Sequence, residues 1–237
     1  CILFDCDGVL WTGATQVHNA AEALRVLRAR GKRVLFVTNN ASKSRAGYVS
    51  KFKSLGLEVA AEEIVSASYA AAAYLAQTGR FRAGDPQGKV ALVLANSGVE
   101  QELDAAGVAW IGGEAWHPPL LLTPADMCSL PLDSRIGAVV VGWDPAFSYS
   151  RLVYAATCLR ELPGCLFIAT NGDHADNIGR PTVAPAPGAP LPGAASTSSR
   201  QGSGALEPQP SSSARAPGST QPSQGAAAAS PVMRMMP

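Results

Sequence analysis

The chain opens with Cys1-Ile-Leu-Phe-Asp5-Cys-Asp7-Gly-Val-Leu-Trp11-Thr-Gly13. A short apolar run ends here in two aspartates, followed by a glycine that permits a tight turn. The apolar run predicts a buried strand over residues 1–4, and the segment at 9–13 has the pattern of a hairpin. The sequence therefore predicts two carboxylates directly after the first strand of a sheet.

Strand and helix patterns alternate in the residues that follow. Asn19 is predicted to cap a helix that Gly31 ends, and a second strand over 33–37 runs into the polar cluster Thr38-Asn39-Asn40. Ser42 is predicted to cap the next helix. Short strands separated by helices favour an α/β fold with a parallel sheet.

A polar, glycine-rich break at residues 79–88 separates this part from a second alternation of strands and helices. We place a domain boundary in this break. The predicted domains are 1–80, 81–180 and 181–237. In the second domain, strands are predicted at 90–94, 109–111, 138–141 and 166–169, and helices at 99–106 and 150–162, with a helical turn at 124–127.

The composition changes abruptly near residue 181. Residues 181–237 contain 12 Ala, 11 Pro, 10 Ser and 6 Gly, and they have no aromatic residue, Asp or Lys. Such a segment buries too little apolar surface to offset an ordering cost of about 1–2 kcal/mol per residue. We predict a disordered C-terminal tail. It is interpreted either as a natural linker or as read-through or frame-shifted sequence that replaces a folded C-terminal half.

Several classes of protein are disfavoured by charge and composition. Nineteen Lys and Arg against eighteen Asp and Glu give a net charge of +1, which argues against a nucleic-acid partner or a polybasic membrane anchor. No apolar run approaches the roughly 20 residues of a membrane span. The five cysteines form no Cys-x-x-Cys pair, so neither a zinc site nor a disulfide framework is indicated. We therefore expect a reducing, cytoplasmic setting. The chain starts inside an apolar run without Met, and we expect the natural start to lie upstream, so that an organelle such as the chloroplast is the other candidate compartment.

The aspartates lie where ligands bind in parallel α/β sheets, beyond the carboxyl ends of the strands. Asp5 and Asp7 are spaced so that both could hold one divalent cation, and their oxygen ligands suit Mg²⁺. Two other interpretations of Asp-x-Asp stay open at this point. One is a solvated turn, and the other is the metal-binding motif of nucleotide-sugar transferases.

Two segments resemble a known family. Phe4-Asp5-Cys6-Asp7-Gly8-Val9-Leu10-Trp11 resembles the first signature of the haloacid dehalogenase superfamily, and Val37-Thr38-Asn39-Asn40 resembles its second. Their pairing is similar to the subgroup that contains phosphoglycolate phosphatase, pyridoxal phosphate phosphatase and 4-nitrophenyl phosphatase. Residues 138–144 and 167–173 fit the same subgroup, so the resemblance extends over residues 1 to about 180.

The resemblance implies a fold, a reaction and a set of site residues. The fold is a Rossmann-like parallel sheet core with an inserted α/β cap domain that closes over the site. Asp5 would attack the phosphorus of a phosphate monoester and form an aspartyl-phosphate, and Asp7 would act as general acid and base. The Asp5 carboxylate and the Asp7 backbone carbonyl would hold Mg²⁺. Thr38 and the Asn39 backbone N–H would bind the phosphoryl oxygens, whereas Asn40 would shape the turn.

The remaining expectations concern the cap. His174 is a candidate substrate contact near the return to the core, with a solvated loop histidine as the alternative interpretation. Trp143 is predicted to pack within the cap, and Asp144 to cap a turn. The resemblance also implies a small-molecule phosphate ester as ligand, and pairing of two chains through their caps.

The superfamily has two further signatures, a lysine and an acidic pair, and both follow the cap. Residues 181–237 contain neither Lys nor Asp, and Lys43 and Lys89 are not at the family's lysine position. We therefore expect an incomplete core with a free sheet edge. Two hypotheses follow: an incomplete Mg²⁺-dependent phosphatase of doubtful activity, or a catalytically inactive fragment that binds a ligand or a partner.

Overall fold

The structure is a computed structural model that describes residues 1–119 and 123–173. The predicted tail at 181–237 and the candidate residue His174 lie outside the described residues. The described residues all belong to one compact unit, Cys1–His174, and the predicted boundary between residues 80 and 81 stays a prediction. Among them, no helix is both long enough and apolar enough to cross a membrane.

The described elements alternate along the chain. The strands are β1 (Ile2–Asp5), β2 (Trp11–Thr12), β3 (Thr15–Gln16), β4 (Val34–Thr38), β5 (Ile64–Ser66), β6 (Val90–Leu94), β7 (Trp110–Gly112), β8 (Ile136–Val141) and β9 (Leu166–Ala169). The helices are α1 (Ala20–Ala29), α2 (Arg45–Ser54), α3 (Ala67–Thr78), α4 (Ser97–Ala105), α5 (Pro124–Cys128) and α6 (Tyr149–Glu161), with a 3-10 turn at Ala61–Glu63.

The first sheet has the strand order β1-β4-β5, and both of its strand pairs are parallel. Alternate side chains of each strand point to opposite faces of the sheet. On one face, Phe36 is buried in a cluster with Tyr48 and Phe52 of α2. On the other face, Leu3 and Val37 are exposed. Within the described residues β1 pairs only with β4, so its outer edge has no neighbouring strand there.

The segment after β1 folds back on itself, as its pattern predicts. Gly8 has a φ of 84°, which a residue with a side chain rarely adopts, and its N–H donates to the Trp11 carbonyl at 2.7 Å. Strands β2 and β3 then form a two-stranded antiparallel hairpin. Trp11 is fully buried, with its ring edge-on to Phe52 at a centroid distance of 4.8 Å. The turn therefore anchors the residues around Asp7 to the core.

The second sheet has the order β7-β6-β8-β9, and all of its strand pairs are parallel. Every residue of β6 is buried, and so is nearly every residue of β8. Such uninterrupted apolar strands are typical of parallel sheets that are covered on both faces. One face packs in a cluster with residues of α3 and α4, and the other with residues of α6. The predicted α/β fold with parallel sheets is confirmed.

Helix α4 approaches the loop that follows the first sheet's Thr38-Asn39-Asn40. A Cβ placed on Gly98 would lie 2.5 Å from the backbone N of Lys43 and 2.6 Å from the carbonyl O of Ala41. The buried Glu102 carboxylate, in the same helix, accepts a hydrogen bond from the Arg45 backbone N–H and forms an ion pair with its side chain at 3.1 Å. The loop beside the predicted phosphate-binding residues is therefore held by α4.

We expect Gly98→Ala to lower the free energy of unfolding by about 1–3 kcal/mol, because the added methyl would overlap backbone atoms that cannot move independently. Gly47→Ala is the control, since Gly47 also lies in a helix but the nearest atom to its added Cβ would be the Lys43 Cβ, at 3.3 Å. Urea unfolding of both variants measures the difference. Equal stabilities would contradict the close approach.

Three local expectations differ from the structure. Helix α1 begins after Asn19, but that residue has a φ of 65° and its side chain makes no capping hydrogen bond. Ser44, not Ser42, caps α2 by accepting from the Gly47 N–H at 3.2 Å, because the loop at 41–43 continues against α4. Trp143 is 61% exposed and does not pack within the second sheet's core. The expected turn cap is present, since Asp144 accepts from the Ala146 N–H at 2.9 Å.

Candidate active site

The predicted site residues lie at one edge of the first sheet. Asp5 ends β1 and Thr38 ends β4, and these strands are parallel neighbours, so their carboxyl ends meet. Asp5 and Asn39 line the same open depression of about 460 Å³, together with Leu3, Phe4 and Val37. Within the described part of the chain, no hydrogen bond or ion pair involves the Asp5 carboxylate. Its oxygens are exposed and available to a ligand.

Asp7 has a different environment. Its Oδ1 accepts a hydrogen bond from the Trp11 indole Nε1–H at 2.7 Å, and the Lys51 Nζ lies 3.5 Å from the same oxygen. The Lys51 Nζ also lies 4.2 Å from the centroid of the Trp11 ring. The two aspartates of the motif therefore differ: among the described residues the Asp5 carboxylate has no hydrogen-bond or ion-pair partner, whereas the Asp7 carboxylate is held by an indole and an ammonium group.

Cys6 separates the two aspartates and points into the core. Burial, together with the neighbouring carboxylates of Asp5 and Asp7, raises the pKa of its thiol to about 12. Since only the thiolate is a strong nucleophile, this cysteine stays neutral and unreactive at physiological pH. It does not compete with Asp5 for an electrophile.

The second motif is shaped by a network of hydrogen bonds. The buried Thr38 hydroxyl accepts from the Asn40 backbone N–H at 3.2 Å, and the Tyr48 hydroxyl donates to the Asn40 carbonyl at 2.9 Å. Burial raises the pKa of the Tyr48 phenol, so it remains a donor across the physiological range. The Asn40 Oδ1 accepts from the Ser42 N–H at 2.9 Å. This network fits the expectation that Asn40 shapes the turn.

Asn39 connects the two sheets. Its Nδ2 donates to the Asp173 Oδ2 at 2.7 Å, across 134 residues of sequence. Asp173 follows β9 of the second sheet and is the last residue that the structure describes. The segment that follows β9 therefore meets the segment that follows β4, at Asn39, which lines the same depression as Asp5.

Comparison with known proteins tests the resemblance to a family. Residues 2–109 match the family model described as haloacid dehalogenase-like hydrolase. These residues include both of the segments that carry the predicted resemblance. It is 46% identical over 177 residues to phosphoglycolate phosphatase 1A, chloroplastic, of Arabidopsis thaliana, covering 74% of the chain and 47% of that protein. It is 46% identical over 178 residues to human glycerol-3-phosphate phosphatase, covering 73% of the chain and 54% of that protein.

A solved structure is also similar. A glycerol phosphate phosphatase from Mycobacterium tuberculosis in complex with magnesium superposes with a TM-score of 0.53 at 27% identity, covering 73% of this chain and 44% of that one. The chain spans about half the length of the curated relatives it matches. The predicted resemblance to haloacid dehalogenase-like phosphatases, with phosphoglycolate phosphatase among them, is confirmed.

The oxygen ligands of this haloacid dehalogenase-like site suit Mg²⁺ in kind. The Asp5 carboxylate is exposed at the strand end, and the Asp7 carbonyl is two residues away in the adjoining turn. Among residues 1–119 and 123–173, no group of three or more His, Cys, Asp or Glu side chains could hold a metal ion. Two protein oxygens fit a cation that commonly retains several water ligands.

Sequence reasoning missed Lys51 and Asp173 as members of this haloacid dehalogenase-like site. A signal for Lys51 is present in the sequence, because it lies three residues after Tyr48 and next to Phe52, both of which are buried. That spacing places the lysine near the buried stripe of α2. No local pattern pairs Asp173 with Asn39, since their contact depends on how the two sheets are placed.

Proposed function

We propose that the chain carries the nucleophile and phosphate-binding residues of a Mg²⁺-dependent phosphatase, which hydrolyses a small phosphate monoester through an aspartyl-phosphate. One observation carries the proposal: the carboxylate of Asp5 is exposed and without a protein partner in the described residues, at the strand end where a ligand binds. The names of the relatives support the reaction class, since both are phosphatases.

The chemistry follows from the positions of the residues. An Asp5 oxygen attacks phosphorus, the bond to the ester oxygen breaks, and the phosphoryl group moves to the carboxylate. Asp7 gives a proton to the departing alkoxide and then removes one from the water that hydrolyses the aspartyl-phosphate. The Thr38 hydroxyl and the Asn39 backbone N–H donate to phosphoryl oxygens. A bound Mg²⁺, held by the Asp5 carboxylate and the Asp7 carbonyl, would reduce the repulsion between nucleophile and phosphate.

The proposed substrate is 2-phosphoglycolate or a similar small ester such as glycerol 3-phosphate, because the relatives are named for these compounds. His174 remains a proposed substrate contact. We also propose that two chains pair through the second sheet's domain, where the large side chains of Trp143, Phe147 and Tyr149 are exposed. The cytoplasm is the proposed compartment, in keeping with five free cysteines, and a chloroplast is the alternative, since one relative is named chloroplastic.

The alternative function is a catalytically inactive fragment that binds a ligand or partner. The observation that favours it is the small number of metal ligands: the described residues supply two, the Asp5 carboxylate and the Asp7 carbonyl. In addition, Lys51 pairs with Asp7, and no ion pair in the described residues places a cation beside Asp5. The two functions predict different rates of phosphate ester hydrolysis, but both predict a folded chain.

A comparison of two proteins tests the proposal. One is the chain itself, and the other joins residues 1–173 to the C-terminal part of human glycerol-3-phosphate phosphatase. We expect the chimera to hydrolyse 4-nitrophenyl phosphate and 2-phosphoglycolate with Mg²⁺, and to lose that activity in EDTA, whereas the chain alone shows no turnover. Phosphate release measures both. A folded chimera that is inactive with Mg²⁺ would contradict the phosphatase proposal and favour the inactive fragment.

A further inference from the structure

Lys51 is held on two sides by the residues around Asp7. Its ammonium group lies 3.5 Å from the Asp7 Oδ1 and 4.2 Å from the centroid of the Trp11 ring. The side chain is 21% exposed, although it lies on a surface helix. An exposed ion pair contributes little, because two long side chains must be ordered to form it. Here a rigid aromatic face orders the lysine first, since a cation above an indole is attracted to the ring.

Trp11 is the fixed part of this arrangement. Its ring is fully buried and packs edge-on against Phe52, which is itself buried in α2. The indole Nε1–H donates to the Asp7 Oδ1 at 2.7 Å. Helix α2 therefore supplies both the packing that fixes the indole and the cation that lies over it. Asp7 is held by residues that cannot shift without disturbing the core.

Both contacts to the Asp7 carboxylate are made by the same oxygen. The indole N–H and the ammonium group are donors, and both lie beside Oδ1. An oxygen that accepts from the indole N–H and faces an ammonium group is not the one that carries a proton in the acid form, because a carboxylic acid has one O–H donor and one carbonyl acceptor. Within the described residues, no hydrogen bond involves Oδ2. The geometry thus separates the two oxygens into a held acceptor and a free one.

We propose that Lys51, together with the Trp11 indole, is a positioning residue that reserves the Asp7 Oδ1 as an acceptor and leaves Oδ2 to hold and transfer the proton to the leaving group. This inference rests on the proposed function, since it deepens the role of Asp7 in that reaction. Lys51 does not touch the substrate. It acts through the orientation of one carboxylate.

The leaving group provides a readout that a merely structural role would not move. An alkoxide leaves poorly without a proton, whereas 4-nitrophenolate leaves without one, so a misplaced general acid slows alkyl esters selectively. In the protein that turns over, we expect Lys51→Met to lower kcat for glycerol 3-phosphate about tenfold and kcat for 4-nitrophenyl phosphate less than about twofold, with KM unchanged. Lys51→Arg should restore kcat for the alkyl ester to within about threefold, because a guanidinium can also lie over an indole and pair with a carboxylate.

Lys53→Met is the matched control. It removes the same charge from the same helix, and Lys53 is exposed and forms no ion pair in the described part of the chain. We expect its kinetics to equal those of the starting protein. Equal losses on both esters in Lys51→Met, or a loss in Lys53→Met as large as in Lys51→Met, would overturn the proposal.

A second measurement does not depend on activity. Hydrogen exchange of the Trp11 indole N–H, followed by NMR in the chain itself, reports how firmly Asp7 Oδ1 is held. We expect exchange to become several-fold faster in Lys51→Met and to stay unchanged in Lys53→Met. Unchanged exchange in Lys51→Met would overturn the positioning role. Absence of turnover in both the chain and the chimera would instead overturn the proposed function, and with it the catalytic part of this inference.

Discussion

Asp5→Asn is expected to reduce turnover of 4-nitrophenyl phosphate on the order of 10⁴-fold, and to abolish a phosphoryl adduct at residue 5. The amide oxygen has no negative charge, so it is a poor nucleophile, and it is also a weaker ligand for a divalent cation. The variant retains the shape of the side chain. Because Asp5 is exposed and makes no ion pair in the described residues, we expect the free energy of unfolding to change little.

Two measurements check this expectation in whichever of the chain and the chimera turns over. Steady-state phosphate release gives the loss of kcat, and rapid quenching followed by mass spectrometry locates the adduct. The control is Asp85→Asn, which makes the same chemical change in an exposed turn outside the depression, where Asp85 accepts from the Gln87 N–H. Turnover in Asp5→Asn equal to that in Asp85→Asn, or an adduct on another side chain, would eliminate the assigned nucleophile.

Arg151→Met is expected to lower the free energy of unfolding by about 3–5 kcal/mol, because it leaves a buried carboxylate without its cation. The side chains of Arg151 and Asp144 are 1% and 3% exposed, and the Arg151 Nη1 contacts both Asp144 oxygens, at 2.9 and 2.7 Å. The Arg151 Nη2 donates to the backbone carbonyls of Glu114 and Trp116. Loss of the guanidinium therefore leaves four oxygen acceptors without this donor.

Urea unfolding and thermal melting measure this effect, and a fall of roughly 10 °C in Tm corresponds to it for a domain of this size. Arg135→Met is the control, since Arg135 pairs with Asp133 at 2.7 Å but its side chain is 60% exposed, so we expect a much smaller loss of stability. The double variant Arg151→Met with Asp144→Leu should recover part of the stability by removing the unpaired charge. Equal midpoints for Arg151→Met and Arg135→Met would contradict the described burial.

The fold was largely predictable because its signals are local. Strands are predicted by the apolar run before Asp5, by the apolar run that ends at residue 37 and by the fully apolar run at 90–94. None of these predictions needs information from the rest of the chain. The errors arise where a tertiary contact decides between two local signals. Ser42 and Ser44 are both good helix caps by composition, and the choice between them depends on a loop held by α4, which no pattern within the helix reveals.

The candidate site also contains residues that the sequence predicts and a contact that it does not. The resemblance implies that Asp5, Thr38 and Asn39 share one site, and in the structure Asp5 and Thr38 end parallel neighbouring strands. The contact of Asp7 with the partly buried Lys51 was not predicted. Lys51 belongs to a helix whose polar residues are mostly solvated, and only the packing of Trp11 against Phe52 brings its ammonium group over the indole.

The sequence by itself determined the order of strands and helices, the two motifs at the strand ends and the family they resemble, because periodicity and motif spacing are properties of neighbouring residues. Only the tertiary structure decided which distant side chains meet: Lys51 with Asp7, Asn39 with Asp173, and Arg151 with the carbonyls of the loop at 114–116. Those pairings depend on the orientation of helices and sheets relative to one another. Many residues together fix that orientation, and no single segment encodes it.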